Sequence, residues 1–159
     1  MSRLVFRFKD GSVDDETAVF SQQRDFRLIS DHHIQKGPSF PKPTDVSIDV
    51  PTGRVIVRYR DKGEEKVEQE QMELPSDLAN GIILNILKNI QPGTAETKVS
   101  YVAATPKPRL VKLSIVPRGE DRFSVVGASY KARLFGAKGG TGRHYRRYCA
   151  SDWQTTSRY

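Results

Sequence analysis

Apolar and polar residues alternate with a period of two along most of this chain. Leu4, Phe6 and Phe8 alternate with Val5, Arg7 and Lys9, the spacing of a strand with one buried face. Asp10-Gly11 follows, and that dipeptide between alternating runs predicts a hairpin. A second strand is expected over Ser12–Ser21, with Val13, Ala18, Val19 and Phe20 apolar and an acidic middle at Asp14, Asp15 and Glu16. In a third, Phe26, Leu28, Ser30, His32 and Ile34 share one face, and Arg27, Ile29, Asp31, His33 and Gln35 share the other.

Three prolines within Pro38–Pro43 break the pairing, because proline cannot donate to a central ladder. Alternation resumes at Val46, Ile48 and Val50, turns at Pro51-Thr52-Gly53, and returns through Val55, Val57 and Tyr59. After Asp61-Lys62-Gly63 the very polar stretch Glu64–Glu73 reads as an exposed or edge strand, since charge blunts edge pairing. Pro75-Ser76-Asp77 then supplies a helix start. Leu78, Ile82, Ile83, Ile86, Leu87 and Ile90 recur at helical spacing, which predicts one amphipathic helix over about 76–90. Gly81 lies inside it and weakens it by about 1 kcal/mol relative to alanine. Further strands are expected over Lys98–Ala104, Leu110–Val116 and Phe123–Phe135, the last two separated by a turn at Arg118-Gly119-Glu120-Asp121. The sum is a mainly β, β-rich α+β protein: about eight or nine strands in a curved antiparallel sheet or half-open barrel, with one helix.

The length, 159 residues and 17.9 kDa, matches one modest core. Residues 1–135 form the expected β-rich domain. The net charge of +7 reads at first as a nucleic-acid signal, but it is unevenly distributed. Five basic residues against one acid give Ala137–Tyr159 a charge of +4, leaving +3 for the 136 residues before it. Both signs are interleaved in that body, as on a solvated face. Any phosphate-binding patch therefore falls mainly in the tail. The single cysteine, Cys149, allows no internal disulfide, and no Cys/His set has zinc-ligand spacing. No metal and no cofactor are expected.

Residues 136–159 lack alternation, a helical stripe and any aliphatic side chain larger than alanine. They read as a disordered basic tail, as a nucleic-acid arm using Arg143, Arg146 and Arg147, or as a segment translated out of frame after about residue 137. The genetic code bears on the third reading. One forward nucleotide turns His144, Tyr145 and Tyr148 into isoleucine or threonine whatever their codons, and Trp153 before Gln154 into glycine. Lys138–His144 resembles a deviant phosphate loop, but lacks the second lysine and the hydroxyl that such a loop needs.

The residues that bear on chemistry are few. Asp31, His32 and His33 form a candidate polar cluster, although adjacent strand residues face opposite ways and cannot easily share a metal. An acid–base role for them needs a partner carboxylate that the sequence does not place. Asp14, Asp15 and Glu16 read as a solvated strand or turn. No nucleophile context of the G-x-S-x-G kind occurs, so no catalytic residue is nominated and the protein is read as non-enzymatic. Ile82, Ile83, Ile86, Leu87 and Ile90 are the candidate lining of an apolar ligand site, because an apolar helix against a curved sheet can enclose a greasy cavity.

The segments Phe8–Thr17, Ser30–Asp49, Leu74–Gly81 and Val111–Ala132 resemble an uncharacterised family of bacterial hypothetical proteins. The resemblance covers about residues 3–135. It implies an envelope protein, distantly similar to lipoprotein carriers in which a half-open barrel clasps a helix. It also implies a signal peptide and an earlier strand upstream, and an aliphatic segment after the last matching strand. Against that pattern the chain reads as N-terminally truncated. The family is expected in the periplasm; the chain as given shows no signal peptide, and so is expected in the cytoplasm unless its start is truncated. The function expected is binding of a lipid or other apolar small molecule between sheet and helix. The alternatives are a small basic nucleic-acid-binding module, the less favoured partner class, and a nonfunctional gene fragment.

Overall fold

A computed structural model describes residues 1–139 and 145–151 apart from 92, 105 and 106, with the backbone alone given for 125 and 145–151. The fold is mainly β. Six strands follow one another as a meander: β1 (Ser2–Arg7), β2 (Val13–Gln22), β3 (Phe26–Lys36), β4 (Thr44–Asp49), β5 (Arg54–Asp61) and β6 (Glu64–Gln71). They form a six-stranded antiparallel sheet in sequence order. Then come the helix α1 (Ile83–Asn89) and β7 (Thr97–Ala104), β8 (Pro108–Val125), β9 (Ala128–Gly139) and β10 (Tyr145–Ser151). These four strands make a second antiparallel sheet, ordered β10-β9-β8-β7. Among the described residues neither sheet closes into a barrel. Nine strands fall within residues 1–139, and β10 lies in the segment 136–159.

The chain divides into two compact units. The first holds Met1–Ile83 and Ser100–Val111, and the second holds Leu84–Val99 and the residues from Lys112 onward. In the first unit the inner face of the six-stranded sheet carries the core. Val46, Ile48, Val55 and Val57 are buried together with Ala18 and Leu28, and the registers Val46↔Val57 and Ile48↔Val55 place them side by side. In the second unit Leu87, Val99, Ile115 and Phe135 are buried.

Turn chemistry decides the hairpins. Gly11 has φ 85° between β1 and β2, and the Phe8 amide donates to the Ser12 carbonyl at 2.9 Å. The proline-rich segment is tied to this turn. The Ser39 amide donates to Ser12 Oγ at 2.8 Å, and Ser39 Oγ donates to Asp10 Oδ2 at 2.6 Å. The polar strand β6 is an edge of its sheet, as its charge implied.

Three expectations need correction. The helix spans Ile83–Asn89, not 76–90. Leu78 and Ala79 pair with β7 instead, between turns at 76–77 and 80–82. Leu78 makes a parallel bridge to Ser100, the Ser100 amide donates to the Asp77 carbonyl, and the Ala79 amide donates to the Ser100 carbonyl. Gly81 then takes φ 64°, which α-helix geometry does not allow. The face assignment in β3 also changes. Val19 pairs with Ser30 and Phe20 with Leu28, which leaves Ile29 as an extra residue. This bulge puts Leu28 on the same buried face as Asp31, where uninterrupted alternation separates them. Finally, Arg118–Asp121 is no turn. β8 runs through it with a bulge between Pro117 and Gly119, and the chain reverses at Val126-Gly127.

Candidate functional site

The site is built on β2, β3 and the residue Gly81. The register aligns Ala18 with Asp31, Glu16 with His33 and Asp14 with Gln35. All six therefore share the inner face of the sheet. His33 Nε2 lies 2.7 Å from Asp14 Oδ1, and His33 Nδ1 lies 4.0 Å from Glu16 Oε1. Gln35 Nε2 donates to the second Asp14 oxygen at 2.8 Å. The partner carboxylates that the sequence could not place for His33 are thus Asp14 and Glu16, and these two are half-buried rather than solvated. Asp15 points the other way and forms a paired contact with Arg3, at 2.9 and 2.6 Å. That guanidinium holds the Asp15 carboxyl below the usual carboxylate range.

Asp31 is the exceptional group. It is 3% exposed, and its Oδ1 has no hydrogen-bond partner among the described residues. Burial first, and then the charge of Glu16, push its pKa up to about 8, against the pull of the His32 backbone amide. Glu16 is raised as well, mainly by burial, while His33 and the Gly81 amide oppose the shift. Well below pH 8 Asp31 is therefore a neutral acid inside the core. Gly81 closes over it: a β-carbon there would collide with Asp31 Oδ1, and would sit 2.6 Å from the Ala18 β-carbon. The segment before Gly81 is held firmly. Asn80 is buried, its Nδ2 donates to the Val102 carbonyl at 3.1 Å, and its Oδ1 accepts from the Val102 amide at 2.8 Å.

Of the candidate polar cluster, the structure keeps Asp31 and His33 on the inner face and sends His32 to the outer one. There His32 Nε2 lies 2.9 Å from Asp45 Oδ1. His32 also borders a shallow polar cleft of about 240 Å³ with Ser30, Ser47, Asp49, Arg54 and Ile56. Among the described residues, no group of three or more histidine, cysteine or acidic side chains is arranged to hold a metal ion. No helix there is long and apolar enough to cross a membrane.

The candidate lining divides by burial. Ile82 and Leu87 are fully buried, Ile90 is 9% exposed, and Ile83 and Ile86 are half-buried. The Ile90 carbonyl accepts from Arg133 Nη1 at 3.2 Å. Of the tail arginines, Arg143 lies outside the described residues, while Arg146 and Arg147 lie on β10, paired with Ala137 and Gly136. The phosphate-loop-like stretch begins at the end of β9, and its residues 140–144 lie outside the description. The carboxylates at 14 and 16 were missed because strand register, not spacing, brings them to His33. Comparison with family models, with curated proteins and with solved structures finds no match to this chain.

Proposed function

We propose that this chain is a non-enzymatic binding protein of the envelope type implied by its resemblance, working in the periplasm, and that it holds a lipid or other apolar small molecule against α1. The observation that supports this is an apolar surplus on the helix. Four of its seven residues, Ile83, Leu84, Ile86 and Leu87, are aliphatic, yet only Leu87 is buried. Ile83, Ile86, Leu87 and Ile90 form one apolar stripe at i, i+3, i+4 and i+7, and a core that used all of it would bury the whole stripe. Here Ile83 and Ile86 stay half-buried, leaving apolar surface that a ligand can take up.

The Asp31 cluster adds a proton dependence to this reading. Asp31 presses on Gly81, directly before Ile82 and Ile83. Ionising it in place sets an uncompensated charge under the segment that leads into α1, which favours release of that segment. The ligand is then held best with Asp31 neutral.

Native mass spectrometry of the purified chain, with titration of a fluorescent fatty-acid probe, tests the proposal. The expected result is a co-purifying apolar mass, or probe binding that Ile83→Asn and Ile86→Asn weaken. A bare protein mass with no probe binding overturns it.

A further inference from the structure

Among the described residues, β10 pairs with β9 from Ala132 to Lys138, whereas β8 and β9 go on pairing out to Val125↔Ala128. From Pro117 to Ser129 every residue whose side chain is described is exposed. At the reversal Val126 has φ 50° and Gly127 has φ 79°. Those are the two central positions of a tight hairpin turn, which favour asparagine, aspartate and glycine. A β-branched residue is strained at positive φ. Val126 is nonetheless there, and it is 101% exposed. It contributes no buried surface to the fold in return for that strain.

The surroundings say what it meets. Phe123 stacks on Tyr130 with centroids 5.6 Å apart and planes at 25°, and Phe123 is still 37% exposed. On the opposite face of the ribbon Arg122 is the direct cross-strand partner of Lys131. Like charges directly opposite each other destabilise a ribbon, and the exposed ion pair between Glu120 and Lys131 offsets that only in part. The nearby acids, Glu120 and Asp121, stand farther from the turn, with Glu120 Oε2 3.9 Å from Lys131 Nζ. The result is an apolar, aromatic tip with a basic pair behind it. A two-stranded turn presents few side chains, whereas a standard protein interface takes roughly 800 Å² per partner. A bilayer surface needs no such area: aromatic and aliphatic side chains enter the interfacial layer, and Lys and Arg meet anionic headgroups.

We propose that the tip of the β8–β9 hairpin docks on an anionic lipid surface, with Val126 and Phe123 entering the headgroup layer and Arg122 and Lys131 facing lipid phosphates. This is independent of the apolar-ligand reading and stands if that reading fails.

Co-sedimentation of the full chain with phosphatidylcholine vesicles, with and without phosphatidylglycerol, at about 0.1 M salt tests it. The chain is expected to bind the phosphatidylglycerol vesicles. Arg122→Gln with Lys131→Gln should weaken binding by about tenfold or more. Val126→Asn should also weaken it while keeping the fold, because asparagine suits the turn; circular dichroism checks that. Arg60→Gln with Lys62→Asn, which removes the same charge from the β5–β6 hairpin, should bind as the unmodified chain does. Failure to bind phosphatidylglycerol vesicles overturns the proposal, and so does full binding by Val126→Asn. A loss in the Arg60/Lys62 control equal to that in the Arg122/Lys131 variant also overturns it, by assigning the attraction to the overall +7 charge.

Discussion

Asparagine at position 31 keeps the shape of the protonated side chain and removes its titration. Asp31 is 3% exposed and its pKa is pushed up to about 8, while an unfolded aspartate titrates near 3.9. Between those values the unfolded chain releases the proton and the folded protein keeps it. Stability therefore falls as pH rises, by about 1.4 kcal/mol per pH unit for this group alone. The contribution of the neutral acid is fully present below about pH 4 and is lost as pH climbs through about 8. At pH 7 the penalty reaches roughly 4 kcal/mol. Movement of the Gly81 segment lets water reach the carboxylate and recovers part of that, so Asp31→Asn is expected to gain about 1–3 kcal/mol at pH 7. The groups facing Asp31 and its neighbours are Glu16, Asp14 and His33. Glu16 is raised too and adds slope of the same sign, so the variant flattens the profile without levelling it. Urea unfolding followed by far-ultraviolet circular dichroism, at several pH values from about 5 to 8, measures both quantities. A level profile in the unmodified chain would falsify the reasoning. A variant with an unchanged slope, or one less stable than the unmodified chain at pH 8, would refute it equally.

Gly81→Ala places a methyl against Asp31 and Ala18 at a positive φ, and should destabilise by about 2–4 kcal/mol in the same urea assay. Asn80→Leu strips the Val102 amide and carbonyl of their partners in a buried place; a cost of about 2–4 kcal/mol is expected, and a change below about 0.5 kcal/mol would mean that the 77–80 segment is not held by this pairing. Deleting Ile29 removes the bulge, and so should turn the Phe26–Leu28 side chains to the opposite face. Loss of the cooperative unfolding transition is expected, and a fully stable deletion variant would show that the bulge does not set the face of Leu28.

The strands were legible wherever local chemistry sufficed. Alternation and the glycine turns at Gly11, Gly53 and Gly63 place β1 to β6 almost residue by residue, and the charge of Glu64–Gln71 marks the sheet edge. The errors share one physical cause: local pattern was overridden by pairing with a distant segment. Leu78 and Ile82 have helical spacing, but Leu78 bridges Ser100 and Asn80 is pinned to Val102, so the helix begins only after Gly81. Val126 carries no turn signal, and Arg118–Asp121 carries a false one, because a bulge takes up Gly119. The inner-face cluster was half visible. Asp31 and His33 could be read as one face of a strand, but Asp14 and Glu16 join them only through the β2–β3 register, and Asp31 becomes buried only when Gly81 closes over it.

Probe binding measured against pH tests the account most directly, because it joins the two halves of the proposal. A fluorescent fatty acid should bind the intact chain at pH 6 and be released as pH rises through about 8. Asp31→Asn should hold it across that range, and Ile86→Asn should weaken it throughout. No binding at any pH, or release that Asp31→Asn leaves unchanged, would contradict the claim that α1 holds an apolar ligand under the control of a buried proton.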